Sequence, residues 1–262
     1  MQIVTTGRKR TIKMKTFTLR ARFKKEIVSE FVPPSRPSRK VIIFCGGMPG
    51  IPSKRELLFF FAKKNYWVFF PRYRGSWESG GSFLKVSPEQ DILDIINELP
   101  RGFRDLWSGK IMKVKPEKLY LFGSSFGGPA AILASRDPRV TKAVVVSPVI
   151  DWRVKSKVEP LDWLGEFTQS AFGMGYRFTK RDWDKLKSGK FYNPATHTKE
   201  MAPEKLLLVH AKDDETVSWK PTAKFARETG SKFILLPRGG HLGGSYFMKP
   251  GFYKHLNKFL KR

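Results

Sequence analysis

The chain has 262 residues, of which 40% are hydrophobic and 14% aromatic, enough to fill one sizeable α/β core. Its 50 Lys and Arg against 23 Asp and Glu leave a formal net charge of +27, a field that favours anionic partners. A single cysteine excludes an internal disulfide and suits a reducing cytoplasm, and no apolar run reaches transmembrane length.

In chain order, a basic N-terminal segment 1–40 carries its densest charge from Arg8 to Lys25, and Met1 to Lys15 lacks the continuous apolar stretch of a signal peptide. Strands over 16–23 and 26–32 read as an antiparallel hairpin, and Pro33-Pro34-Ser35-Arg36-Pro37 then breaks the chain. A strand over 41–44 runs into Cys45-Gly46-Gly47-Met48-Pro49-Gly50. A helix over 53–64 and a strand over 66–70 follow. Ser87-Pro88-Glu89-Gln90 combines an N-cap serine, proline at the first helical position and glutamine three residues after the cap, and opens a helix with Ile92, Ile95, Ile96 and Leu99 on one face.

The apolar run Leu119-Tyr120-Leu121-Phe122 leads straight into Gly123-Ser124-Ser125-Phe126-Gly127-Gly128. Gly-x-Ser-x-Gly fits only with Ser125 at its centre, which places this serine at the tip of a sharp strand-to-helix turn. Further strands are expected over 140–146, 206–210 and 232–236, and Leu256, Phe259 and Leu260 give a terminal helix its buried face. The alternation predicts a mostly parallel sheet flanked by helices. The segment 149–203 exceeds a simple connection and holds Trp152, Trp163, Phe167, Phe172, Tyr176, Phe178 and Trp183, which suits a cap over a site.

A serine hydroxyl needs an imidazole to take its proton, and the imidazole needs a carboxylate to fix its tautomer. Of the four histidines only His241 lies in a glycine-flanked loop after a late strand; His197, His210 and His255 read as structural or solvated. The carboxylate is Asp214 or its neighbour Asp213. A developing oxyanion needs donors: one is expected from the backbone N–H of Phe126, the second from Met48 in the first glycine loop, with Gly47 as alternative. Cys45, beside that loop with no partner histidine, reads as a buried small residue.

Serine, acid and histidine in this order resemble the α/β-hydrolases, and within them the catalytic domain of the prolyl oligopeptidase (S9-type) peptidases and their esterase relatives. Further matches are Arg72-Tyr73-Arg74-Gly75-Ser76, Ser147-Pro148-Val149-Ile150-Asp151-Trp152 and Asn193-Pro194. The resemblance also favours Asp214, because His210 to Val217 follows the pattern His-Gly-x-x-Asp-x-x-Val with Ala211 in place of the glycine. It implies an α/β-hydrolase fold over 1–262 as a single domain, a Ser125-His241-Asp214 triad and no cofactor or metal. Forty residues are too few for the β-propeller that gates the large oligopeptidases, so small carboxylic esters are expected ahead of short peptides or amides. The basic residues are scattered and bring no nucleic-acid-binding motif, so nucleic acid is expected only nonspecifically if at all. A non-catalytic, polyanion-binding use of the same fold is the contrasting reading.

Overall fold

Val41, Ile43 and Cys45 alternate with Ile42 and Phe44 along β3 (Lys40–Cys45), and the two sets are buried in different apolar clusters, as a strand covered on both faces requires. The same rule holds across the centre of the sheet in this computed structural model, which describes residues 17–156 and 158–261. The expected strand start at Thr16 and the basic stretch before it lie outside the described residues.

The N-terminal hairpin is present as β1 (Leu19–Phe23) and β2 (Ile27–Val32), antiparallel to each other. The remaining strands are β4 (Trp67–Pro71), a short hairpin of β5 (Phe103–Arg104) and β6 (Ile111–Met112), β7 (Lys118–Ser124), β8 (Lys142–Val146), β9 (Leu206–Ala211) and β10 (Lys232–Leu236). Eight of them form one sheet in the order β1-β2-β4-β3-β7-β8-β9-β10. β2 joins β4 antiparallel, and from β4 to β10 every pairing is parallel.

On one face, α2 (Pro88–Glu98), α3 (Gly127–Ala134) and α6 (Trp219–Thr229) bury Ile92, Ile95, Ile96, Ala130, Ile132 and Phe225. On the other, α1 (Arg55–Ala62) and α7 (Pro250–Lys261) bury Leu57, Leu58, Phe61, Phe252, Leu256 and Phe259. This is the α/β-hydrolase arrangement, with an antiparallel hairpin at one edge. Helix α1 is shorter than the 53–64 expected from the sequence.

Helix α2 starts at Pro88 as its sequence dictates, but the capping box does not form. Ser87 Oγ donates to the Glu89 carboxylate instead of accepting a backbone N–H, and Gln90 Nε2 donates to Asp94 Oδ1 at 3.1 Å. Asp91 and Asp94 of α2 instead bind Arg74 in the turn after β4, which also meets Glu26 Oε2 at 2.5 Å. Between β8 and β9 lie α4 (Leu161–Phe172), α5 (Lys180–Asp184) and several 3₁₀ turns. Tyr176 and Trp183 of this segment are buried, whereas Trp163 and Phe167 stack on each other and stay exposed.

Candidate active site

The turn from β7 into α3 is set by local sterics. Ser125 has φ of +51°, in the left-handed region that L-residues avoid. Its N–H donates to Val146 O at 3.1 Å and its carbonyl accepts from Gly128 N at 2.9 Å, which ties the strained residue to the neighbouring strand and to the helix behind it. A Cβ at Gly127 would lie 2.1 Å from Cys45 O, and one at Gly123 would lie 2.5 Å from Gly127 O. Only glycine permits these approaches, so the Gly-x-Ser-x-Gly spacing is a packing requirement.

Two other non-glycine residues in the left-handed region meet at this place, Ser147 with φ of +43° and Tyr192 with φ of +52°. Such strain persists where the surroundings over-determine it, and it clusters at functional sites. The Tyr192 hydroxyl donates to Phe126 O at 2.6 Å and accepts from Ala130 N at 3.1 Å, clamping the start of α3. Tyr73 donates to Gly46 O at 3.2 Å and packs its ring edge-on against that of Phe126, 5.6 Å between centroids. Tyr73 thus bridges the elbow and the glycine loop after β3. The Phe126 ring is wedged among Tyr73, Phe83, Trp152 and Tyr192, which fixes its backbone.

That glycine loop abuts the serine: a Cβ at Gly47 would sit 3.3 Å from Ser125 Cβ. Among the described residues, neither Met48 N nor Phe126 N is spent on a hydrogen bond. Both residues, with Ser125, line a cavity of about 590 Å³ whose apolar walls include Ile150, Trp152 and Leu161. Arg153 and Lys155 stand at its exposed rim.

The carboxylate of Asp214, in the loop after β9, is buried and faces four donors. His241 Nδ1 lies 2.9 Å from Oδ2, His210 Nε2 lies 3.1 Å from the same oxygen, and the amides of Thr216 and Val217 donate to Oδ1 at 3.1 and 2.9 Å. Burial alone raises a carboxylate's pKa. Here the hydrogen bonds from His210, His241 and the Val217 amide overrule it and hold Asp214 far below the usual range. Asp213 points elsewhere: its Oδ1 accepts from Gly239 N and Gly240 N, both at 2.9 Å, and so anchors the loop carrying His241. Ser147 Oγ accepts from Leu242 N at 3.0 Å on the other side of that histidine.

The structure therefore brings His241 to Asp214 and sets Ser125 beside Met48 and Phe126. It does not join Ser125 Oγ to His241 by a hydrogen bond. Catalytic hydrogen bonds are often long until substrate is present. His210, read from the sequence as structural or solvated, is fully buried and linked to Asp214, with Nδ1 2.9 Å from Thr222 Oγ1. Its Nε2 also meets Val217 O at 2.9 Å, an acceptor only, so the proton sits on Nε2. His197 pairs with Glu200 and Arg136 far from Ser125 in sequence, and His255 is exposed on α7. Cys45 is buried, and burial pushes its thiol far up, which removes it as a nucleophile. Among the described residues no group of side chains has the make-up of a metal site.

The sequence profile of the Prolyl oligopeptidase family (peptidase S9) matches residues 52–262, which includes every residue of this arrangement except Cys45, Gly46, Gly47 and Met48. The chain belongs to the prolyl oligopeptidase family. Its curated relatives include protein YfhR of Escherichia coli O157:H7, 27% identical over 185 residues that make up 69% of this chain and 55% of YfhR. The chain thus spans about half the length of the relatives it matches. Among solved structures, the Pyrococcus furiosus esterase Pf2001 superposes with a TM-score of 0.68 at 16% identity, covering 100% of this chain and 96% of the esterase. The Pyrococcus horikoshii acylaminoacyl peptidase gives 0.64 at 21% identity, covering 95% of this chain and 42% of the peptidase. At these identities the S9 member shares the fold of both. No described helix is long and apolar enough to cross a membrane.

Proposed function

We propose that this S9-family protein is a serine hydrolase that forms an acyl-enzyme on small carboxylic esters, with the whole chain acting as one hydrolase body and residues 149–203 as its cap. Ser125 is the nucleophile, His241 the general base and then acid, and Asp214 the carboxylate that orients and stabilises the imidazolium. The observation that carries this reading is a strained serine with two unspent amides beside it, in a chain whose late-loop histidine already holds a buried, ionised aspartate.

With Nδ1–H of His241 committed to Asp214, Nε2 is the free base. It takes the proton of Ser125 Oγ as that oxygen attacks the ester carbonyl. The carbonyl oxygen becomes an oxyanion facing Met48 N and Phe126 N, donors of a kind worth about 3 kcal/mol each in related chemistry. The C–O bond to the alcohol then breaks, and His241 Nε2 returns the proton to the departing oxygen. Water repeats the sequence on the acyl-enzyme and frees the acid. The apolar cavity beside Ser125 suits an aliphatic or aromatic acyl group.

An aminopeptidase or oligopeptidase activity is the second reading, favoured by the family and by the fold shared with an acylaminoacyl peptidase. A fluorophosphonate probe is expected to label the protein at Ser125, and labelling that survives Ser125→Ala overturns the assignment. A panel of p-nitrophenyl esters beside aminoacyl-p-nitroanilides ranks the substrates. Anilide turnover equal to ester turnover replaces the esterase reading with the peptidase one.

A further inference from the structure

Met48, whose amide is assigned above to the oxyanion, sits in a loop held in place by side chains. Among the described residues Met48, Pro49 and Gly50 make no backbone-to-backbone hydrogen bond. Instead Tyr73 donates to Gly46 O at 3.2 Å, Arg72 Nη2 donates to Pro52 O at 2.6 Å, and between these points Gly50 is held at both of its polar atoms. Gly50 N donates to the Tyr176 hydroxyl at 3.2 Å, and Gly50 O accepts from that hydroxyl at 3.4 Å and from Trp77 Nε1 at 3.2 Å. Met48 thus hangs between a Tyr73 anchor two residues before it and a Tyr176 anchor two residues after it. Pro49 fixes one of the few backbone angles in between.

Tyr176 differs from the other anchors in its origin. Arg72 and Tyr73 follow β4, whereas Tyr176 belongs to the cap-like segment 149–203, whose Leu161 and Leu164 at the start of α4 line the cavity beside Ser125. Its own place does not depend on Gly50. The backbone around it is paired with the turn after β4: Trp77 N donates to Gly175 O at 2.8 Å, Arg177 N to Gly75 O at 2.7 Å, and Phe83 N to Arg177 O at 2.7 Å. The buried Tyr176 ring packs against Trp77, Phe83 and Phe172. A hydroxyl on so fixed a ring, bonded to a stretch of loop without backbone support, sets where that stretch stands. A donor displaced by about an ångström loses much of its value to a developing charge.

We infer that Tyr176 is a positioning residue for the oxyanion site, reaching from the cap to hold the Met48 amide beside Ser125 through Gly50. The inference rests on the serine-hydrolase reading above and adds to it that the cap supports one of the two oxyanion donors, as well as walling the cavity.

The test compares wild type, Tyr176→Phe and Tyr120→Phe on one p-nitrophenyl ester, each normalised by active-site titration with a fluorophosphonate so that misfolded protein does not count. Tyr120 is the control, because its buried hydroxyl also donates to a carbonyl, Leu260 O at 3.3 Å, on the face of the sheet covered by α7. Tyr176→Phe keeps the ring and is expected to lower kcat by about 10- to 100-fold with KM within about twofold, less than the outright loss of a donor because the amide is shifted and not removed. An aryl trifluoromethyl ketone, which Ser125 Oγ attacks to give a tetrahedral oxyanion while His241 takes the proton, should bind more weakly by the same factor as kcat/KM falls. Tyr120→Phe should leave both quantities unchanged. Trp77→Phe, which withdraws the other bond to Gly50 O, should act in the same direction as Tyr176→Phe and by less. Unchanged ketone affinity in Tyr176→Phe overturns the inference and leaves Met48 held by its own buried side chain. A rise in KM alone overturns it by making Tyr176 part of the cavity wall, and an equal loss in Tyr120→Phe reduces the effect to general destabilisation. Fluorophosphonate labelling that survives Ser125→Ala is a separate result, which sinks the serine-hydrolase reading and this inference with it.

Discussion

The two ends of the parallel sheet handle charge in opposite ways. At the ends where the strands stop, three charges are answered: the buried Asp214 by two imidazoles and two amides, the exposed Asp213 by the amides of Gly239 and Gly240, and Arg74 by Glu26, Asp91 and Asp94. At the ends where the strands begin, Lys40, Lys118, Lys142 and Lys232 stand without a carboxylate partner among the described residues. A satisfied charge is a positioning device, because its partners fix where it sits. An unsatisfied one is held by solvent and leaves its side chain free to move.

The largest test of this contrast lies at Asp214. Asp214→Asn should lower kcat on a p-nitrophenyl ester by about 10³ to 10⁴, the scale seen when a triad acid can no longer hold the tautomer. Asp213→Asn should cost roughly tenfold or less, because it loosens the histidine loop and leaves the acid in place. A reversed ranking would make Asp213 the acid.

Acid pH provides the second test. Asp214 titrates lower in the folded protein than in the unfolded chain, where a carboxylate titrates near about 4. Its stabilisation is therefore complete above about pH 4 and is lost as pH falls toward the folded value. The gap in Tm between wild type and Asp214→Asn should be widest near about pH 6 and shrink toward about pH 2. A gap independent of pH would show that the asparagine damages packing and not charge.

Tyr192→Phe removes two hydrogen bonds from the start of α3 while keeping the ring, at a cost of about 1–3 kcal/mol in chemical unfolding. Because that hydroxyl holds the peptide of Phe126, kcat should fall more than KM rises. A change in KM alone would assign Tyr192 to the cavity wall.

The smallest effect is expected at the lysine end. Lys118→Glu should stabilise the fold by a few tenths of a kcal/mol at low ionic strength, and the gain should vanish at high salt. Destabilisation at low salt would mean that the row is already balanced.

The elbow was legible in the sequence because its constraint is local: Gly123 and Gly127 are excluded from carrying side chains by atoms within a few residues or on the adjacent strand. The isoleucine stripe of α2 was legible for the same kind of reason, a short period with a single apolar face, and Lys232–Leu236 as a short continuous apolar run, apolar on both faces of the sheet. Asp213 and Asp214 could not be separated by chemistry alone, since adjacent carboxylates differ only in which way the loop turns them. The role of His210 was hidden because its partners, Thr222 on α6 and the Val217 carbonyl, converge on it only after β9 and α6 pack. Tyr192 was missed because an aromatic in a cap-like segment reads as packing, and nothing along the chain reveals that its hydroxyl meets Phe126. The lysine row lay in plain view, but it becomes a row only when the strand order places those strands together.

Thr216, Val217 and His210 hold the Asp214 carboxylate from positions that do not move with His241, whose side chain remains 28% exposed. Three of its four donors therefore stay in place if the imidazole turns away, and the chain on either side of the imidazole is itself pinned, by Asp213 at Gly239 and Gly240 and by Ser147 at Leu242.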